Sequence, residues 1–147
     1  WVELGQQIFK VDIESGRYNL YLDDSTNIKN YLIGDEWKHK TMFFLDAHVD
    51  NSNIHNYKKK CPLFEELSAI GNLERKDHII LIDDLRIIKG QFPWGETSYG
   101  NINFLEQIMN KILSINKNYK FLSFEPRHGY KMVKLKKMLT VQLCVFT

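Results

Sequence analysis

The sequence predicts an α/β fold, a mostly parallel sheet flanked by helices, and three observations carry that expectation. Two short apolar runs, Thr41 to Leu45 and His78 to Ile82, have the unbroken hydrophobic character of strands buried on both faces. Stretches with the 3.6-residue periodicity of amphipathic helices lie between and beyond them. Both runs end in acid, and the carboxyl ends of parallel strands are where an open sheet presents its ligand crevice.

Taken in chain order, Trp1 to Gly5 reads as a strand closing on glycine, and Ile8 to Ile13 and Tyr18 to Leu22 as two more. Asp24 and Ser25 precede a helical stretch over 26–33, with Ser25 as its N-cap. The strand at 41–45 gives way to a polar loop from Val49 to about Lys60. Pro62 fits a first helical turn, Leu63, Phe64, Leu67 and Ile70 form the apolar face, and Gly71-Asn72 closes the helix. After the strand at 78–82, a loop from Gly90 to Gly100 is long enough for a lid or substrate wall. Asn101 caps a helix bearing Phe104, Leu105, Ile108, Ile112 and Ile115, and strands at 119–124 and 139–146 complete the sheet. The connections between Gly5 and Ile8 and between Glu14 and Tyr18 are too short for crossovers, which need about a dozen residues. Loop-helix segments are therefore expected to be absent at those two places. Residues 1–147 read as a single domain, and an opening on Trp1 reads as a piece of something longer.

The chain has 147 residues, 44% hydrophobic and 26% charged, with a net charge of +2, so the charge balance demands no polyanionic partner. Lysines at 58–60 and at 131, 134, 136 and 137 read as solvated surface, and no nucleic acid partner is expected. Cys61 and Cys144 form no metal or disulfide framework, which points to a reducing, cytoplasmic setting. No apolar stretch approaches the roughly 20 residues of a membrane span, and no secretory signal is visible.

The chemistry concentrates at the two acid-ended strands. Neighbouring strands lie about 4.8 Å apart, so Asp46 and the Asp83–Asp84 pair are expected to converge. Carboxylates so crowded repel unless a cation sits among them, and hard oxygen donors suit Mg2+ or Mn2+. His48, two residues past Asp46 on an extended backbone, points to the same side. An imidazole there is placed to take a proton from a cation-bound hydroxyl. The other histidines, His39, His55, His78 and His128, read as structural. A second set of positions suits a nucleoside ligand: Gly5 at a strand end, Asp12 where an acid grips ribose hydroxyls, and Asp24 with Ser25 at the next strand end.

The motifs VELG (2–5), FKVD (9–12) and DDS (23–25) resemble the cofactor-binding stretches of class I S-adenosylmethionine methyltransferases. FFLDAH (43–48), CPLFEELSAI (61–70) and HIILIDDLR (78–86) are similar to metal-assisted sugar O-methyltransferases of the macrocin and novobiocin group. The likeness runs from residue 1 to about 124 and implies a Rossmann-like, mostly parallel sheet with an antiparallel C-terminal strand. It implies S-adenosyl-L-methionine as cofactor, bound by Glu3, Gly5, Asp12, Asp24 and Ser25, and Mg2+ or Mn2+ on Asp46, Asp83 and Asp84. His48 becomes the general base, a sugar hydroxyl the acceptor and a carbohydrate the substrate, beside other domains of a longer glycan-modifying protein. Three departures stand out: no Gly-rich turn follows Gly5, Asp23 replaces a glycine, and His48 stands where the group has aspartate. Two other readings fit some of the same residues. FLDAH (44–48) also resembles the Asp-x-His motif of metal-dependent glycosyltransferases, and the shortened cofactor loop suits a non-catalytic binding module of methyltransferase fold.

Overall fold

The computed structural model describes residues 2–47, 61–83, 88, 104–124 and 142–146. Its centre is a four-stranded sheet in the order β1-β2-β4-β3, with β1 at Met42–Leu45, β2 at Ile79–Ile82, β3 at Lys120–Phe124 and β4 at Gln142–Phe146. β1 and β2 are parallel, in register from Met42 opposite Ile79 to Leu45 opposite Ile82. β4 runs antiparallel to both β2 and β3, so the other three strands share one direction. An α-helix (α3, Leu63–Asn72) lies in the crossover between the two parallel strands, which makes β1-α3-β2 a βαβ unit. A further helix (α4, Phe104–Ile115) precedes β3. This is an α/β arrangement of the Rossmann-like kind.

The core lies between one face of the sheet and these two helices. Burial alternates along β1 and β2: Phe43, Leu45, Ile80 and Ile82 face inward. Leu63, Leu67 and Ile70 of α3 and Phe104, Ile108 and Ile112 of α4 recur every three or four residues and meet them as continuous stripes. The helices approach closely at Gly71, where a Cβ would stand 3.0 Å from Cγ1 of Ile115. The unbroken apolar runs led to an expectation of burial on both faces, and the structure corrects it. Met42 is 61% exposed and Phe44 50%. The described helices cover one face only, and apolar side chains on the other remain in water.

The N-terminal fifth departs most from expectation. In place of strands at 1–5 and 8–13 there are two short helices, α1 at Val2–Ile8 and α2 at Lys10–Glu14, and 18–22 has no regular structure. A strand needs a partner edge to satisfy its amides, and the connections here leave no room for crossovers that would bring one. A helix satisfies them locally, as in Phe9 N–H to Gly5 O at 2.9 Å and Ile13 N–H to Phe9 O at 2.9 Å. Gly16, at φ +73°, ends α2 with the paired bonds of a Schellman turn: Gly16 N–H to Ile13 O and Arg17 N–H to Asp12 O. Neither helix buries a residue.

The stretch expected as a helix over 26–33 is a 3-10 helix at Ser25–Asn30, and its N-cap is Asp24 instead of Ser25. The Asp24 carboxylate accepts from Thr26 N–H at 2.9 Å and from the Thr26 hydroxyl at 2.6 Å. A second 3-10 helix spans Asp35–Lys38. No helix among the described residues is long and apolar enough to cross a membrane.

Candidate functional site

The parallel pairing of β1 and β2 brings their carboxyl ends level. The ladder continues one residue further, with Asp83 N–H donating to Leu45 O at 3.1 Å, and so Asp46 and Asp83 are neighbours just past the strand ends. Both line a cavity of ≈ 20 Å³ walled by Leu45, Leu63, Ile82 and Ile88, room for about one water-sized guest. Two of the expected metal ligands therefore share one space. Asp84 and His48 lie outside the described residues. Among the described residues, no group of three or more His, Cys, Asp or Glu is arranged to hold a metal ion.

A third acid lines the same cavity, and the sequence reading missed it. Glu66, on α3, is only 3% exposed, and its Oε1 accepts from the Ser25 hydroxyl at 2.7 Å. Burial pushes its carboxyl up to about 7, with the charges of Glu65 and Asp46 adding to the effect and the Ser25 hydrogen bond opposing it. A signal was available. Glu66 follows Leu63 by three positions and precedes Ile70 by four, so it sits on the apolar stripe. Cys61, also on this wall, is buried, and burial pushes its thiol up to about 12, which keeps it protonated at neutral pH.

The Ser25–Asn30 helix lies against α3. On the strand-end side, the Ser25 side chain meets Glu66. On the other, Ser25 and Asp24 line a hollow of ≈ 150 Å³ together with Tyr21, Asp23, Ile28 and Tyr31. The Tyr21 and Tyr31 rings lie 4.4 Å apart there. Asp23 accepts from the Tyr31 hydroxyl and from Asn27 Nδ2, each at 2.7 Å, and this raises the Tyr31 pKa above its ordinary value. The two cofactor positions expected at 24 and 25 thus border one concave surface.

The remaining three do not stand at strand ends. Glu3 and Gly5 are within α1 and Asp12 is within α2. Asp12 pairs with Arg17 at 2.7 Å in an exposed ion pair. At Gly5 a Cβ would lie 3.1 Å from Leu20 Cδ2, so the close approach there is to the protein's own side chain. His78 is fully buried, with Nδ1 accepting from Thr41 N–H at 3.2 Å and its ring edge-on to Phe43.

No family model matches the chain, and no curated protein matches it. Among solved structures it is similar to a crystal structure described as that of an rRNA methylase, from Clostridium thermocellum. The two share 14% identity at a TM-score of 0.48, over 99% of this chain and 68% of that one.

Proposed function

We propose that the chain is an S-adenosylmethionine-dependent O-methyltransferase acting on a sugar hydroxyl, with a divalent cation held at the strand ends. The observation that carries this reading is the meeting of Asp46 and Asp83 at one small cavity past two parallel strands. An ion-sized space with Asp46 and Asp83 among its otherwise largely apolar walls suits Mg2+ or Mn2+, with these two as ligands and Asp84 as the third. A cation bound there supplies a Lewis acid that lowers the pKa of the acceptor hydroxyl. His48 would take the proton at its imidazole, and the hollow lined by Asp24 and Ser25 would hold the adenine of the methyl donor. Glu3, Gly5 and Asp12 enter as cofactor ligands on the resemblance alone. The sugar is a free monosaccharide, a nucleotide sugar or a glycan.

One observation favours a second reading. With α1 in place of a glycine-closed strand, the end that grips the methionine moiety is not formed, which suits a non-catalytic binding module of the same fold. Calorimetric titration with S-adenosylhomocysteine separates the two. Binding that is kept in Asp46→Asn, together with methyl transfer that is lost in chelator and restored by Mn2+, is the expected result. An intact chain with no affinity for S-adenosylhomocysteine is the module instead, and stabilisation by uridine diphosphate alone would indicate a glycosyltransferase.

A further inference from the structure

Glu66 is a buried acid to which the proposed chemistry gives no task. A carboxylate in a core stripe costs free energy that an apolar side chain of similar size would not, so its partners show what it is for. Its described hydrogen bond runs to Ser25, 41 positions away in sequence, and the same side chain helps to wall the cavity at Asp46 and Asp83. Ser25 in turn opens the 3-10 helix that lines the Tyr21–Tyr31 hollow. One carboxyl group therefore lines the strand-end cavity and bonds to a residue that lines the hollow, the two places where the proposed reaction needs a partner held.

We propose that Glu66 is a positioning residue: through Ser25 it fixes the Ser25–Asn30 helix on α3, so that a nucleoside ligand in the hollow is held in register with the strand-end cavity. The inference rests on the methyl-donor reading above and deepens it. A hydrogen bond between two elements so far apart in sequence removes the freedom of the turn to slide along α3. It also rigidifies the hollow before a ligand arrives.

The test is calorimetric titration of the full chain with S-adenosylhomocysteine, paired with amide hydrogen exchange over residues 26–31. Glu66→Ala is expected to lower the affinity about tenfold and to speed exchange at 26–31. Glu66→Gln keeps an oxygen that accepts from Ser25 and is expected to stay within about twofold of the parent, with exchange slow. Ser25→Ala is expected to weaken binding, and Glu66→Ala combined with Ser25→Ala to weaken it no further than the worse single change. Additive losses, or a Glu66→Gln as weak as Glu66→Ala, would overturn the proposal. So would a Glu66→Ala whose melting temperature falls while affinity and exchange at 26–31 hold. Should Glu66→Ala fail to fold, Ser25→Ala and Glu66→Gln decide it, since fast exchange in the first and slow exchange in the second is what the hydrogen bond requires. A parent chain that binds no S-adenosylhomocysteine removes the function proposed above, and exchange alone then decides whether Glu66 holds the turn.

Discussion

Two buried ionisable side chains pull the pH dependence of stability in opposite directions. The Glu66 carboxyl, pushed up to about 7 from 4.5, keeps its proton in the folded chain over a range where the unfolded chain has lost it. The folded state then binds more protons, so this contribution is full below about 4.5 and is lost as pH rises through about 7. The shift is on the order of 3 kcal/mol between the limits. In the metal-free chain the parent should therefore lose stability relative to Glu66→Gln between pH 5 and pH 8, measured by urea unfolding in chelator. Comparison with that variant isolates Glu66, because burial lowers the His78 pKa and makes its contribution fade in the other direction, as pH falls. His78→Phe should cost roughly 1–3 kcal/mol, since it leaves the Thr41 N–H without its acceptor. A lower urea midpoint at unchanged slope is the expected sign. Asp46 and Asp83 were legible in the sequence because an acid closing a strand is a local pattern. Glu66 was visible as an acid on an apolar stripe, but nothing local names Ser25 as its partner.

Among the elements, the ones that sequence foretold are those that carry their own periodicity, apolar run or end signal: β1, β2, β3, β4, α3 and α4. The N-terminal segment was misread because VELG and FKVD are compatible with either helix or strand, and only a partner edge decides between them. The 3-10 helix at Ser25–Asn30 was foretold as helical, yet its cap moved to Asp24, whose carboxylate reaches two donors of Thr26. β4 is a central strand of the sheet: Cys144 pairs with Leu81 on one side and Leu122 on the other. Cys144→Pro removes a backbone donor from a central strand and should unfold the sheet instead of trimming its edge. Loss of the strand signal in far-ultraviolet circular dichroism, with rapid proteolysis between residues 79 and 124, would show it. Retained strand signal would mean that β2 and β3 do not depend on β4.

For the molecule as a whole, the α/β class was legible, while the exposure of Met42, Phe44 and Leu122 on its strands was not. A run such as Met42-Phe43-Phe44-Leu45 states that strands are apolar, and whether a second helical layer exists depends on segments elsewhere in the chain. Met42 and Phe44 of β1 and Leu122 of β3, the last at 46% exposure, are open to solvent. Exposed apolar side chains of this kind bind hydrophobic dyes. Native chain should therefore enhance anilinonaphthalene sulfonate fluorescence, and Phe44→Thr with Leu122→Thr should reduce it while the melting temperature stays nearly constant. A large fall in melting temperature would mean instead that these side chains are packed.

The place of β4 also sets a timetable for folding during synthesis. A nascent polypeptide that has left the ribosome as far as Phe124 already carries the residues of β1, β2 and β3, yet the described strand that pairs with the third has still to be made. Completion of the sheet waits until residues 142–146 emerge and slide between strands made earlier. That interval exposes the polypeptide to chaperones and to mispairing, and every residue added between Phe124 and Gln142 lengthens it.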